Sequence, residues 1–275
     1  MGHSRGRARR GSFGPMPTTH GSLRKVPEIT AYFWIIKVLT TAMGEATSDY
    51  LVHRIDPYVA VAFGGVAFAA ALALQLGVRR YIAWVYWLAV VMVAVFGTMV
   101  ADALHIQLGV PYAVSTAGFA IALAAIFIAW YSTERTLSIH HVTTRRRELF
   151  YWATVCATFA LGTAAGDFTA YTLHLGFLAS GILFAVVITV PALTHRFANL
   201  NAVVAFWFAY IVTRPLGASF ADWMGVPHAL GGLNWGRGTV AVSLTVVIVG
   251  FVGYLSVSRV DVDEKRGRQP VAEPT

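Results

Sequence analysis

Residues 86–102 read Tyr-Trp-Leu-Ala-Val-Val-Met-Val-Ala-Val-Phe-Gly-Thr-Met-Val-Ala-Asp. No charge interrupts the run before Asp102, and the apolar stretch around it extends over roughly 81–106. A bilayer core is crossed by about 20 apolar residues in a helix, so this stretch is long enough to span one. Its landmarks recur elsewhere. An aromatic-Trp pair, nine residues, Gly, four residues and Asp also describe Phe33-Trp34, Gly44, Asp49; Tyr151-Trp152, Gly162, Asp167; and Phe206-Trp207, Gly217, Asp222. Four of the chain's eight Trp residues obey both spacings, a coincidence that unrelated segments do not produce. Self-similarity at a fixed spacing marks a repeat architecture.

Outward from these segments, apolar runs of spanning length lie at roughly 29–52, 57–77, 81–106, 112–132, 147–174, 175–193, 199–224 and 237–258. The composition agrees: 57% of the 275 residues are hydrophobic and 12% charged, about half the charge of a soluble domain. The fold class expected is all-α, a polytopic membrane bundle of about eight transmembrane helices built from four two-helix repeats. The repeats fall at roughly 29–77, 81–132, 147–193 and 199–258. Residues 1–28 and 259–275 are polar and read as disordered basic tails, since nothing in them can bury an apolar face. Pro215, inside the seventh span, should free the carbonyl of Ile211 and kink that helix.

Two crossings per repeat make all four copies point the same way. Each Trp then sits near one interface and each Asp about 22 Å away near the other, with the Gly between them where a neighbouring helix can come close. Of the 21 Lys and Arg, all but Lys37, Arg54, Arg214 and Arg237 fall in the tails and loops of a single side. Under the positive-inside rule that side, holding both termini, is cytoplasmic. Topology thus explains the net charge of +8, and no specific nucleic-acid binding is expected of the Arg-rich tail. Cys156 is the one cysteine, so disulfides and Cys-based metal motifs are excluded.

The layout resembles a family of uncharacterised bacterial inner-membrane proteins made of four tandem two-helix repeats, each marked by a Trp. The likeness is carried by Lys25-Val26-Pro27-Glu28, Tyr32 to Lys37, Gly44-Glu45 with Ser48-Asp49-Tyr50, Gly97 to Asp102, Gly162 to Asp167, and Arg214 to Gly217 with Ala221-Asp222-Trp223. It covers roughly residues 25–258 and implies an eight-helix inner-membrane protein. It brings no substrate and no catalytic residues.

Within span one, Lys37, Thr41, Glu45 and Asp49 are four apart and share a helix face. The matching face of span seven holds Tyr210, Arg214, Ala218 and Asp222; span three offers Thr98 and Asp102, and span five Thr163 and Asp167. Ionisable groups in lipid cost about 2.5–3.5 kcal/mol each on insertion scales, so they turn to the bundle interior. Five acids (Glu45, Asp49, Asp102, Asp167, Asp222) against two bases (Lys37, Arg214) favour a small cation as ligand. The fourfold Asp equally suits a structural role between repeats. Lys37, Glu45 and Arg214 break the repeat symmetry and are the sharper candidates for function. His53, His105, His174 and His228 follow the four Asp residues, and acid plus imidazole suits a divalent metal, although their unequal spacing argues for ordinary interfacial histidines. His140-His141 reads as a solvated pair.

These features favour a transporter or channel for a small solute or cation, a proton and a divalent metal among them. The alternatives are a non-catalytic scaffold or sensor and, less favoured, a haem- or quinone-binding carrier, whose paired mid-membrane histidines are missing here. No esterase elbow, His-Glu-x-x-His helix or paired-Asp signature is present, so no enzyme and no cofactor are expected.

Overall fold

The computed structural model describes residues 24–262, and all the regular elements among them are helical. The order is α1 (Ala31–Arg54), α2 (Pro57–Gly77), α3 (Ala83–Ile106), α4 (Tyr112–Glu134), α5 (Arg145–Asp167), α6 (Gly176–Val187), α7 (Thr189–Ala198), α8 (Ala202–Gly225) and α9 (Arg237–Ser258). α6 and α7 are two halves of one apolar span, Gly176–Ala198. They part at Ile188 because Pro191, one turn on, has no N–H for the Val187 carbonyl and its ring crowds it. Seven helices are long and apolar enough to cross a membrane, as a multi-pass membrane protein requires. The eighth, α1, matches them in length and carries Lys37, Glu45 and Asp49 within it. The spans fall where the apolar runs place them.

The repeats organise two concentric layers. α1, α3, α5 and α8, the Trp-bearing helices, form a closed ring in which each touches the next and α8 returns to α1. Each remaining span packs outside the ring, mainly on the Trp-bearing helix of the following repeat: α2 on α3, α4 on α5, α6 on α8, and α9 back on α1. Burial separates the layers. Half or more of the apolar window is buried in α3, α5 and α8, against 17–22% in the outer spans. The outer surface carries Val66, Ile121, Ile128 and Val246 with about two-thirds or more of their area exposed, as a lipid-facing layer should.

Local signals set the helix ends. Thr30, Asp56, Thr144 and Asn201 accept hydrogen bonds from first-turn amides, and Pro57 follows its cap at the position where a missing N–H costs nothing. Between α5 and α6 a π-turn, Phe168–Thr172, and left-handed residues at His174 and Gly176 reverse the chain in very little length. α8 runs unbroken through Pro215, so the expected kink does not interrupt the helix. The described parts of the two predicted tails, residues 24–28 and 259–262, make contacts with each other and with the bundle. Lys25 and Val26 are buried, and Glu28 N–H donates to the Asp261 carbonyl while Tyr81 N–H donates to that of Arg24. The two ends of the described chain therefore meet at the Trp end of the ring. The rest of both predicted tails lies outside the described residues.

Candidate functional site

The repeat glycines close the ring. A side chain on Gly44 would strike Ala94, one on Gly97 would meet Phe159 Cβ at 2.9 Å, one on Gly162 would strike Arg214, and one on Gly217 would strike Thr41. Each struck residue sits three positions before the Gly of the next repeat, so one contact is used four times around an approximate fourfold axis. Close helix approach through Gly is the expected device, and here it fixes the depth of every residue facing the axis.

At one end the axis is shut by aromatic rings. Phe33 meets Trp87 (5.8 Å between ring centroids), Tyr86 meets Trp152 (5.7 Å), Tyr151 meets Trp207 (6.2 Å) and Phe206 meets Trp34 (5.7 Å). The collar passes from each repeat to the next and returns to its start. Tyr86 and Tyr151 share a hydroxyl–hydroxyl bond of 2.5 Å across it. Trp34, Trp87, Trp152 and Trp207 each pack against an aromatic ring of a neighbouring repeat.

Above the collar the polar residues lie in layers. Seven positions before each Gly stand Lys37, Val90, Val155 and Tyr210. Lys37 is 1% exposed and its Nζ makes no hydrogen bond. The ammonium rests between the rings of Phe159 (4.0 Å) and Tyr210 (4.2 Å), a cation–π setting that offsets part of its lost hydration.

Immediately after each Gly stand Glu45, Thr98, Thr163 and Ala218. Arg214 reaches this layer from α8. Its Nη2 donates to Glu45 Oε2 (2.7 Å), to Thr163 Oγ1 (2.7 Å) and to Thr98 Oγ1, and its Nη1 donates to the Thr41 carbonyl (3.0 Å). One guanidinium therefore bonds all three other repeats. Its stem lies where a Cβ on Gly162 would be, so the third repeat Gly makes room for the Arg214 side chain. Arg214 Nε, also buried, has no partner.

Four residues further on come Asp49, Asp102, Asp167 and Asp222. Asp49 accepts from Arg237 Nε (2.7 Å). Asp102, Asp167 and Asp222 pair with no base among the described residues. Carboxylate oxygens of Glu45, Asp49 and Asp102 converge within 4.8 Å of one another. Of the three, Glu45 is bonded to Arg214 and Asp49 to Arg237.

Every acid and base singled out on the repeat faces is thus brought to one axis. The histidines are not. His53 bonds the Asp49 carbonyl (2.6 Å), His105 the Val110 carbonyl (2.6 Å) and Ser115 Oγ (3.1 Å), and His228 the Gly232 carbonyl (2.8 Å). His174 holds the turn before α6. Each serves its own helix end, and His140 and His141 are exposed.

Sequence reading misses a second polar knot at the Trp end. Lys25 Nζ bonds Glu148 Oε2 (2.5 Å), Gln75 Nε2 reaches Glu148 Oε1 (3.4 Å), and Tyr81 donates its hydroxyl to Asp261. Burial pushes the Asp261 carboxyl above the usual range, with the Tyr81 hydrogen bond opposing it. Lys25, Gln75 and Asp261 sit outside the repeat landmarks, so no spacing points to them.

A repeat model described as "Repeat of Unknown Function (DUF347)" matches residues 32–81, 85–136, 150–200 and 205–261. The chain belongs to this repeat family. Its four matches coincide with the four units of the ring, one Trp-bearing helix and one outer span in each. No curated protein and no solved structure gives a significant match.

Proposed function

We propose that this member of the repeat family moves a small cation across the membrane through its inner four-helix ring, acting as a transporter or channel without chemical change to the solute. The observation that carries the reading is the ordered polar axis. Three carboxylates lacking a base, Asp102, Asp167 and Asp222, lead to the buried Arg214–Glu45 pair. Beyond that pair lie Lys37 and then the aromatic collar.

A fold needs no such column. Buried ion pairs are weak sources of stability, and an unpaired charge in lipid is costly. The acids gather at one end, where they raise the local concentration of cations. The aromatic collar closes the other end, which suits a carrier caught with one side shut. With most basic residues on the Trp side, the positive-inside rule makes that side cytoplasmic, both termini included, and opens the acidic end to the outside. The remaining partner is the bilayer around the apolar outer spans.

The test is reconstitution into liposomes with protons, alkali ions, ammonium and divalent metals supplied in turn. Wild type should carry at least one of them, and Glu45→Gln should lose that flux while inserting and folding normally. Equal flux in the two proteins would refute the reading.

A further inference from the structure

The layer that grips Arg214 has the make-up of an ion site. Four oxygens face its guanidinium: one carboxylate (Glu45), two hydroxyls (Thr98, Thr163) and one main-chain carbonyl (Thr41). They come from three different helices, and the four residues are at most 3% exposed. The Thr98 hydroxyl reaches Glu45 Oε2 at 3.4 Å within the set, and the donor aimed into it from outside is Arg214, itself a cation.

The lock is also imperfectly balanced. Glu45 is the one acid at this depth, yet Lys37 and Arg214 both lie against the Phe159 ring, at 4.0 and 5.3 Å. Lys37 Nζ and Arg214 Nε have no acceptor. A buried donor left without a partner forfeits its hydration, so the guanidinium is held less firmly than its bonds suggest. Better-charged company is close: an Asp102 carboxylate oxygen lies within 4.8 Å of one on Glu45, and the Asp layer is one helical turn, about 6 Å, further along the axis.

We propose that the Glu45–Thr98–Thr163–Thr41 oxygen cage is the binding site for a small monovalent cation, with Arg214 a tethered competitor that fills it and moves to Asp102 when the mobile cation enters. The inference rests on the transport reading and names its substrate class. The charge of the cage selects valence. One carboxylate balances one positive charge; with Asp49 held by Arg237 and Asp102 taken up by the displaced Arg214, a divalent ion would leave an excess beside Lys37. Movement of Arg214 to Asp102 keeps the displaced guanidinium opposite a carboxylate, one that pairs with no base among the described residues.

The test is chemical rescue in purified full-length protein. In Arg214→Ala the cage is vacant, and guanidinium chloride at millimolar concentration should raise the melting temperature saturably, by about 3–5 °C at ten times its dissociation constant. Ammonium should act in the same direction. Urea, the neutral analogue of the same shape, should not, nor should guanidinium on Glu45→Gln/Arg214→Ala or, at these concentrations, on wild type. Absence of the guanidinium effect in Arg214→Ala, an equal effect of urea, or survival of the effect in the double variant would each overturn the proposal.

Should Arg214→Ala fail to fold, Arg214→Lys retains a charge opposite Glu45 but cannot span the oxygens as a planar fork does. Guanidinium should then stabilise it more than wild type, and an equal response would overturn the proposal. Flux is read separately. Rescue without wild-type flux keeps the cage and removes the transport reading; flux without rescue does the reverse.

Discussion

The two ends of the inner ring use the same four helices to opposite purpose. At the Trp end the repeat is honoured in full: aromatic residues from all four copies interlock, ring against ring. At the Asp end the repeat is honoured in sequence but not in bonding. Asp49 is paired, while Asp102, Asp167 and Asp222 are not. Between them lie Lys37, Glu45 and Arg214, which occur once each at their depth. Symmetry in this molecule marks what holds it together, and broken symmetry marks where a charge is free to respond. The lesson is that a repeated residue and an unrepeated one on the same face deserve different questions.

That contrast can be broken by substitution, and the costs should descend along the axis. Gly217→Leu should be the worst, since its Cβ already falls within 2.9 Å of the Ala42 amide. A loss of about 4–5 kcal/mol or outright failure to accumulate is expected in a denaturation or expression assay. Trp87→Ala opens the fully buried collar and should cost about 3–5 kcal/mol. Tyr86→Phe removes only the hydroxyl bond to Tyr151 and should cost about 0.5–1.5 kcal/mol in the same assay. Asp102→Asn at the other end should change stability by no more than about 0.5 kcal/mol while reducing cation flux. A destabilisation as large as that of Trp87→Ala would show that the carboxylate is a structural member after all.

The smallest effect concerns the knot joining the chain ends. Because burial raises the Asp261 carboxyl above its ordinary value, the folded knot holds a proton that the unfolded chain releases. Its local stability should fall as pH rises above the usual Asp range. The protection of amides around residues 24–30, measured as exchange relative to the unfolded chain at the same pH, should fall accordingly in wild type. In Asp261→Asn that protection should show no such trend.

Much of this was legible before any coordinates. Length and apolarity fix the spans, because lipid demands helices with internally paired backbones. The Trp–Gly–Asp spacing fixes their common direction and relative depth. The order of the helices around the ring was not legible. Periodicity says that Gly44 faces a neighbour, but not that the neighbour is Ala94 in the next repeat. The gathering of Glu45, Thr98 and Thr163 around Arg214 depends on that order, so the sequence could nominate the residues without joining them. The aromatic bed of Lys37 was hidden for the same reason: Phe159 comes from another repeat, and its position is polar or small in repeats one and two. Lys25 and Glu148 lie outside the matched repeats, and Tyr81 and Asp261 close the first and fourth of them at positions the Trp–Gly–Asp spacing does not reach.

The seating of each outer span on the following repeat, with α9 completed on α1, has a consequence for how such a protein can be assembled. Four separate identical hairpins could close the same circle, exchanging partners around it like links in a chain. They would place any base on the axis four times over, and its acid with it. A single polypeptide, whose quarters are free to differ, puts one arginine opposite one glutamate.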